Sequence, residues 1–234
     1  MYNEKSELIN FVKHHFKGIG RFYDNLWDYD LDSEEVTDIT RYQNYQEIAD
    51  FVGAEDYKNG ASKLVLFFDE FPQYIIKIPL FGCAEVGIDD YLDEDVTVSP
   101  DELAYIEYEK NYCEEEAHIY KKAKARGIEE FFAKTEFLTT IEGIDIYYSK
   151  KVVRASKYEL QREKLDEAKF LRNYYEVDLA SSYIAQMLVY ASVDKIKDLL
   201  SFIYEYSIWD LIGDNVFIDK EGHVQLVDYS SFDD

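Results

Sequence analysis

Two carboxylates and one amide near the end of the chain are spaced in a way that suits divalent-metal chemistry. Asp210 and Asn215 lie five positions apart, directly before the β-prone residues 216–218, and Asp228 follows a second β-prone run, residues 224–227. The polar sequence Asp-Lys-Glu-Gly between the two runs predicts a tight turn and therefore a hairpin. Such a hairpin places the three polar groups at one of its ends. Asn215 and Asp228 then offer oxygen ligands to Mg²⁺, while the carboxylate of Asp210 faces an attacking group.

A positive charge interrupts an apolar strand in the first half of the chain. Residues 64–68 and 74–78 are β-prone and are separated by a turn sequence that contains proline, so they predict a two-strand hairpin. Because side chains alternate between the faces of a strand, Ile75 and Lys77 share one face, and their apolar neighbours share the other. Taken alone, Lys77 also fits an edge-strand lysine whose stem lies on apolar surface while its ammonium reaches water.

Three small residues, Gly60, Ala61 and Ser62, precede the first of these strands. Small side chains let backbone N–H groups approach a phosphate closely, which makes this segment a candidate phosphate loop. The glycine pattern of such loops, Gly-x-Gly-x-x-Gly, is incomplete, and an ordinary turn accounts for the same residues.

A carboxylate falls on the apolar stripe of a helix that is predicted over residues 101–125 and ended by Gly127. Glu116 lies on that stripe, whereas Glu114 points away from it and Glu115 lies at its border. A carboxylate on an apolar face needs a cation, so Glu116 is predicted to pair with a basic group. Glu115 is the alternative, because a one-residue error in the helix rotation exchanges the two.

The remaining elements predict an α+β protein. Helices are expected within residues 1–52, where Asp32 or Ser33 is the candidate cap of a second helix. A further hairpin is expected over residues 131–138 and 143–148, and three more helices over 157–172, 178–191 and 196–206. The strands add up to a small sheet of four or five strands with one helix, followed by a mainly helical part.

The order of these features resembles that of the protein-kinase-like fold: lysine strand, glutamate helix, hairpin, helices, Asp-x4-Asn, and a last hairpin ending in aspartate. The last segment, in which Asp-Leu-x-x-x-Asn is followed by Asp-Tyr-Ser, is similar to that of small kinase-like proteins of bacteria and their phages. The resemblance covers roughly residues 53–232 and implies a bilobal fold. It implies a helical extension (1–52), an N-lobe with a small antiparallel sheet and one helix (53–152), and a truncated, mainly helical C-lobe with a β-hairpin (153–234).

The same resemblance implies an ATP- and Mg²⁺-dependent phosphotransferase whose acceptor, a protein or a small molecule, stays unknown. In that family the strand lysine holds the α- and β-phosphates and is held by the helix glutamate. Carried over residue by residue, catalysis falls to Asp210, Lys77 and Glu116, nucleotide binding to Gly60, Ala61, Ser62, Ile75 and Lys77, and Mg²⁺ to Asn215 and Asp228. In these roles Ile75 covers the adenine and Asp210 orients or deprotonates the acceptor hydroxyl.

Two positions depart from the family's pattern. Ile208 stands where a histidine is usual, and Tyr229 and Ser230 stand where Phe-Gly is usual. The first change removes a scaffold hydrogen bond and the second alters an activation switch, but neither deletes a group that touches phosphate or metal. The alternative function is a catalytically inactive pseudokinase, or an acidic binding protein that acts on a host or phage partner. A third interpretation is an unrelated α+β protein in which the three polar residues of the last segment are only turn residues and caps.

The composition limits the class of partner. The 49 Asp and Glu residues outnumber the 25 Lys and Arg residues and give a formal charge of −24 at pH 7, which repels nucleic acid and anionic lipid. We therefore expect neither nucleic acid nor a membrane as a partner. The first residues lack a secretion-signal pattern, no apolar run has the length of a membrane span, and the two cysteines imply no disulfide framework. These features predict a cytoplasmic protein of a bacterial host cell.

Overall fold

The computed structural model describes residues 4–24, 38–60, 63–80, 111–152, 159–160, 162–209, 211 and 215–230. Over these residues the chain is an α+β protein with seven α-helices, a five-stranded antiparallel sheet and a separate two-stranded hairpin. The chain divides into two compact units, Met1–Glu114 with Phe137–Ser149 and Glu115–Glu136 with Lys150–Asp234. The division into domains at residues 52 and 152 stays a prediction.

The five-stranded sheet confirms the predicted strand number. Its strands are β1 (Asp56–Asn59), β2 (Lys63–Phe67), β3 (Tyr74–Pro79), β4 (Thr135–Ile141) and β5 (Ile144–Lys150), in the order β1-β2-β3-β5-β4. The predicted β2–β3 hairpin is present. Glu142 and Gly143, with φ angles of 52° and 85°, form the two-residue turn between β4 and β5. Such a turn needs positive φ at both positions, and its twist matches that of the strands it joins.

Three helices in the first unit share one core with a face of the sheet. They are α1 (Glu4–His15), α2 (Gly20–Asp24) and α3 (Asp38–Val52). Leu8, Val12 and Phe16, spaced four residues apart, are buried. The shared core contains Leu8, Val12, Phe16, Ile19, Ile48 and Val52 from the helical segment and Leu64, Leu66, Ile76, Ile78 and Ile146 from the strands. The predicted caps Asp32 and Ser33 lie outside the described residues.

The second unit contains the larger part of the helical chain. Its elements are α4 (Tyr112–Arg126, of which the first three residues belong to the first unit), α5 (Leu165–Tyr175), α6 (Ser181–Tyr190), α7 (Val193–Glu205), β6 (Val216–Ile218) and β7 (Val224–Leu226). Gly127 follows α4 with a φ of 76°, as the predicted helix end requires. In the part of the chain that the structure describes, no helix combines the length and the apolar character needed to cross a membrane.

Three predicted boundaries are wrong. The helix predicted from residue 101 begins at Tyr112, because Asn111 caps it: the Oδ1 of Asn111 accepts hydrogen bonds from the N–H groups of Cys113 and Glu114, both at 3.1 Å. The strand predicted from residue 131 begins at Thr135, because Glu129–Phe131 form a 3₁₀ turn whose buried phenylalanine looks like a strand residue in the sequence. The helix predicted from residue 157 begins at Leu165.

Candidate functional site

The β6–β7 hairpin forms as predicted. Its strands pair in an antiparallel register in which Val216 faces Leu226 and Ile218 faces Val224. The turn is closed by Asp219, whose Oδ1 accepts hydrogen bonds from the backbone N–H groups of Glu221 at 3.0 Å and His223 at 2.8 Å. This side-chain-to-backbone bonding is the usual reason for an aspartate at the start of a turn.

The open end of this hairpin carries the two predicted metal ligands. The N–H of Val227 donates to the carbonyl of Asn215 at 2.9 Å, so the chain segments before β6 and after β7 are held together. Asn215 precedes β6 directly, Asp228 follows Val227, and both are half-buried. The prediction that the hairpin brings Asn215 and Asp228 to one end is confirmed. Asp210, predicted to lie beside them, is outside the described residues.

Asp228 has a left-handed backbone conformation with a φ of 53°. L-residues other than glycine adopt this region at a cost, although aspartate tolerates it better than most. The conformation persists only where the surroundings impose it, and such residues concentrate at functional sites. The backbone at Asp228 therefore turns sharply just where β7 ends.

The residue after Asp228 is a buried anchor. Tyr229 is fully buried, its hydroxyl donates to the carbonyl of Ala133 at 2.6 Å, and its ring makes an edge contact with Phe132 at a centroid distance of 5.0 Å. Burial raises the pKa of the Tyr229 hydroxyl well above its usual value, and the nearby charge of Glu116 raises it further. The Tyr229 hydroxyl thus has a hydrogen-bond partner in the core.

The segment that receives the Tyr229 hydrogen bond also pairs with β7. The N–H of Ala133 donates to the carbonyl of Leu226 at 2.8 Å, and Phe132 makes a parallel bridge with the same residue. Gln225 donates from Nε2 to the carbonyl of Glu130 at 2.6 Å. These contacts fix the strand that leads into Asp228.

Helix α6 fixes the other end of the hairpin. The buried side chain of Gln186 donates from Nε2 to the carbonyl of Gly222 at 2.7 Å. The hydroxyl of Tyr190 accepts the N–H of Val224 at 3.0 Å, and the pKa of this hydroxyl is raised by burial. Both contacts satisfy backbone groups at the turn of a hairpin with only three residues in each strand.

Glu116 is fully buried on α4. Its neighbours follow the predicted helix rotation, since Glu115 is half-buried and Glu114 is exposed. The charge of Glu116 raises the pKa of the hydroxyl of Tyr229, the residue that follows Asp228. The prediction that Glu116 faces inward is confirmed.

Lys77 is buried in the first unit, with a relative exposure of 4%. It faces Val65 across the β2–β3 pair, and Ile75 lies on the same face, half-buried. The alternate residues Ile76 and Ile78 belong to the core with the helices, so the predicted division of β3 into two faces is confirmed. The ion pair predicted between Lys77 and Glu116 would join residues of the two units and stays a prediction.

The candidate phosphate loop is described only at Gly60. The N–H of Gly60 donates to the carbonyl of Lys63 at 3.0 Å and so closes the β1–β2 turn. A Cβ added at Gly60 would meet no atom within 4 Å, so packing does not require glycine there. Ala61 and Ser62 lie outside the described residues.

The place of Lys63 in the sheet has little signal in the sequence. Lys63 is 5% exposed and lies on the same face of the sheet as Lys77. It follows three small residues that are typical of a turn, although its spacing from Val65 and Phe67 fits the strand.

Ile208, one of the two departures from the kinase-like pattern, is fully buried in the core of the second unit.

No protein-family model, no curated protein and no solved structure matches the chain.

Proposed function

We propose that the protein is an ATP- and Mg²⁺-dependent phosphotransferase with the bilobal protein-kinase-like fold. One observation carries the proposal: the hairpin presents an amide and a carboxylate, Asn215 and Asp228, at its open end, and Asp228 turns into the left-handed region between a paired strand and a buried tyrosine. When the backbone is held in that way, the side chain of the aspartate has a restricted orientation. A restricted orientation suits a Mg²⁺ ligand, because the ion demands near-ideal octahedral geometry.

The donor set fits Mg²⁺ with a nucleotide. This ion prefers a small number of protein oxygens and completes its shell with phosphates and water, and Asn215 and Asp228 supply one amide and one carboxylate oxygen for it. When bound, Mg²⁺ would neutralise part of the phosphate charge. Lys77 holds the α- and β-phosphates, Ile75 covers the adenine, and Asp210 orients the acceptor hydroxyl.

Glu116 has a positioning role in this proposal. A buried carboxylate is costly unless it meets a cation or hydrogen-bond donors. Its predicted partner is Lys77, which it would hold towards the phosphates. The acceptor stays open, since no described feature selects a protein over a small molecule.

The overall charge of the protein predicts that ATP binding requires a divalent metal. A chain with a formal charge of −24 repels a free triphosphate, and Asp228 adds to that repulsion locally. ATP alone should bind weakly, and binding should require Mg²⁺ or Mn²⁺.

Thermal unfolding with ATP, with Mg²⁺ and with both tests the proposal. A ligand that binds only the folded state stabilises it by about 2.7 kcal/mol at about a hundred times its Kd, which raises the Tm. Wild type should show this rise only with ATP and Mg²⁺ together. Asp228→Ala should lose this rise in Tm. Asp166→Asn is the control and should keep the rise, because it also removes one negative charge but lies on α5 with a fully exposed side chain. A wild-type protein without any Tm shift would overturn the proposal.

A second candidate is a pseudokinase that binds Mg²⁺ and ATP but transfers no phosphate. The observation in its favour is Ile208, which fills the core where the family has a hydrogen-bonding histidine. Transfer of labelled γ-phosphate to a cell lysate separates the two. Asp210→Ala should keep the Tm shift and lose transfer, and a wild-type shift without any transfer would favour the pseudokinase.

A further inference from the structure

Two neighbouring aromatic side chains project from the surface of α5. Phe170 and Tyr174 are 67% and 70% exposed, the highest values among the large hydrophobic side chains that the structure describes. They lie one helical turn apart, and their rings stack at a centroid distance of 6.2 Å with an interplanar angle of 23°. A different side of the helix is buried through Ala168 and Leu171 in the core of the second unit. The aromatic pair is therefore not part of that core.

An open cleft lies at the C-terminal end of the same helix. Its volume is about 530 Å³. It is lined by Arg172, Asn173, Glu176, Val177 and Asp178. Asn173 is three residues from Phe170 on the helix, a spacing at which side chains are neighbours, so the cleft and the aromatic pair border each other. We call Phe170, Tyr174 and the residues that line the cleft the α5 surface.

The cleft carries more negative than positive charge. Of its two carboxylates, that of Asp178 has Arg172 as an ion-pair partner at 4.0 Å. Glu176 is exposed and makes no ion pair within the part of the chain that the structure describes. It also follows the last turn of α5, where the free carbonyl groups and the helix dipole favour a positive charge. The cleft is therefore suited to a cation.

Both parts of the α5 surface fit the same chemical group. A guanidinium group is flat, stacks on aromatic faces and binds a carboxylate through two parallel N–H bonds. An ammonium group has the same charge but neither the flat face nor the paired donors. In addition, the formal charge of −24 attracts basic partners to the protein and repels nucleic acid. The occupant that fits is thus an arginine-containing part of a basic polypeptide.

We propose that the α5 surface is a docking site for an arginine-containing segment of a basic protein partner. A segment with two arginines engages both parts of the surface: one guanidinium stacks on Phe170 and Tyr174, and the other pairs with Glu176 in the cleft. This inference does not depend on the phosphotransferase activity, since the α5 surface contains none of the residues proposed to hold nucleotide or metal.

Fluorescence anisotropy with a labelled peptide tests the proposal. The probe alternates glycine and arginine, and its counterpart has lysine at each arginine position. Both are titrated with the full chain at about 0.15 M salt, which screens long-range attraction. The variants are Phe170→Ala combined with Tyr174→Ala, and Glu176→Gln. The matched controls are Tyr204→Ala, at an aromatic residue of α7 that is 54% exposed, and Glu221→Gln, at an exposed acid of the β6–β7 turn.

Wild type should bind the arginine peptide at least about fivefold more tightly than the lysine peptide. The double aromatic variant should weaken arginine binding roughly five- to twentyfold, and Glu176→Gln should weaken it about two- to fivefold, as expected for exposed cation–π and ion-pair contacts. Both should reduce the preference for arginine, and the two controls should resemble wild type. The Tm of each variant should stay close to that of wild type, because substitutions at exposed positions change stability little.

Several outcomes would overturn the proposal. Equal binding of the two peptides by wild type, or equal losses for Glu176→Gln and Glu221→Gln, would indicate a diffuse attraction to an acidic protein. An arginine preference that both variants retain would place the binding site elsewhere, and wild type that binds no arginine peptide would exclude the site.

Two further measurements address the other ways in which the aromatic pair can be covered. A fall in the Tm of the double aromatic variant would mean that the two rings pack against the protein itself. Sedimentation that shows a dimer of wild type and a monomer of the double variant would assign the α5 surface to a second copy of the chain. Either result would overturn the proposal, whereas an unchanged Tm and an unchanged sedimentation coefficient together with the arginine preference would support it.

Discussion

The β6–β7 and β2–β3 hairpins are both antiparallel pairs that carry candidate site residues, but they are stabilised in different ways. The first has three residues in each strand and is held by side chains that bond its backbone, among them Gln186 and Tyr190. The second belongs to a five-stranded sheet, one face of which is covered by helices. The first depends on single hydrogen bonds, and the second depends on register and on a large apolar core.

This difference matches the chemistry proposed for each region. Asp228 gains its direction from a local backbone conformation, so its position depends on the contacts on either side of it. Lys77 gains its position from alternation along a strand, and the same alternation places Lys63 beside it. Substitutions in the β6–β7 hairpin should therefore act through one contact at a time.

The largest expected effect on stability concerns Glu116 on α4 and its predicted partner on β3, Lys77. Removing one member of a buried ion pair leaves the other charge uncompensated and costs roughly 3–5 kcal/mol. Glu116→Ala should lower the free energy of unfolding in urea by that amount, while Glu114→Ala, at an exposed position, should change it by less than about 0.5 kcal/mol.

A double-mutant cycle makes this comparison sharper. Glu116→Leu combined with Lys77→Met removes both charges. The double variant should therefore lose less free energy of unfolding than the two single variants lose in sum. Additive effects would exclude the pair, and equal effects of Glu114→Ala and Glu116→Ala would favour Glu115 or neither as the partner.

The next effect tests whether the hairpin depends on single hydrogen bonds. Tyr229→Phe keeps the ring in the core but leaves the buried carbonyl of Ala133 without the donor that now lies at 2.6 Å. An unsatisfied buried acceptor costs about 1–3 kcal/mol. Chemical denaturation should show this loss, whereas Tyr204→Phe, at a residue that is 54% exposed, should be nearly neutral. A neutral Tyr229→Phe would show that the core contacts of the ring alone hold the segment.

The two hairpins also differ in how the sequence encodes them. The β6–β7 turn was predictable because Asp219 and Gly222 satisfy local bonding and φ requirements within four residues. The β2–β3 faces were predictable from alternation alone, and so was the inward direction of Glu116 from helix rotation.

Other features depend on contacts that no local pattern contains. Strand β1, with the sequence Asp-Tyr-Lys-Asn, is polar and mostly exposed, and it exists because β2 offers it an edge. The 3₁₀ turn at Glu129–Phe131 buries a phenylalanine against the second core and so imitates a strand in the sequence. Lys63 is hard to place because it follows the small residues of the β1–β2 turn, although it pairs with Pro79 on β3. The place of Asp210 lies outside the described residues.

A smaller effect of opposite sign would separate stability from function at Asp228. Its φ of 53° suits glycine, so Asp228→Gly should raise the free energy of unfolding by up to about 1 kcal/mol while it abolishes the Tm shift caused by ATP and Mg²⁺. Glu176→Gly is the matched control, because Glu176 has the same φ of 53° at the end of α5 and is exposed. It should raise stability in the same way and keep the shift. Loss of stability in Asp228→Gly would indicate that the carboxylate itself holds the hairpin end.

The smallest effect belongs to the sheet and depends on pH. Glu142 accepts hydrogen bonds from the N–H groups of Gly18 at 2.7 Å and Gly20 at 2.9 Å, and these bonds, that of Gly20 first, lower the pKa of its carboxyl from the ordinary value of 4.5. A carboxyl whose pKa is lower in the folded state stabilises the fold above its unfolded-state pKa, and it loses that contribution as the pH falls through the folded-state pKa. The stability difference between wild type and Glu142→Gln in urea should therefore be constant near neutral pH and shrink below about pH 4.5. A pH-independent difference for Glu142→Gln would mean that the two glycine N–H groups bind the amide of the variant as well as they bind the carboxylate. The contact with the sheet turn would then be one of shape and not of charge.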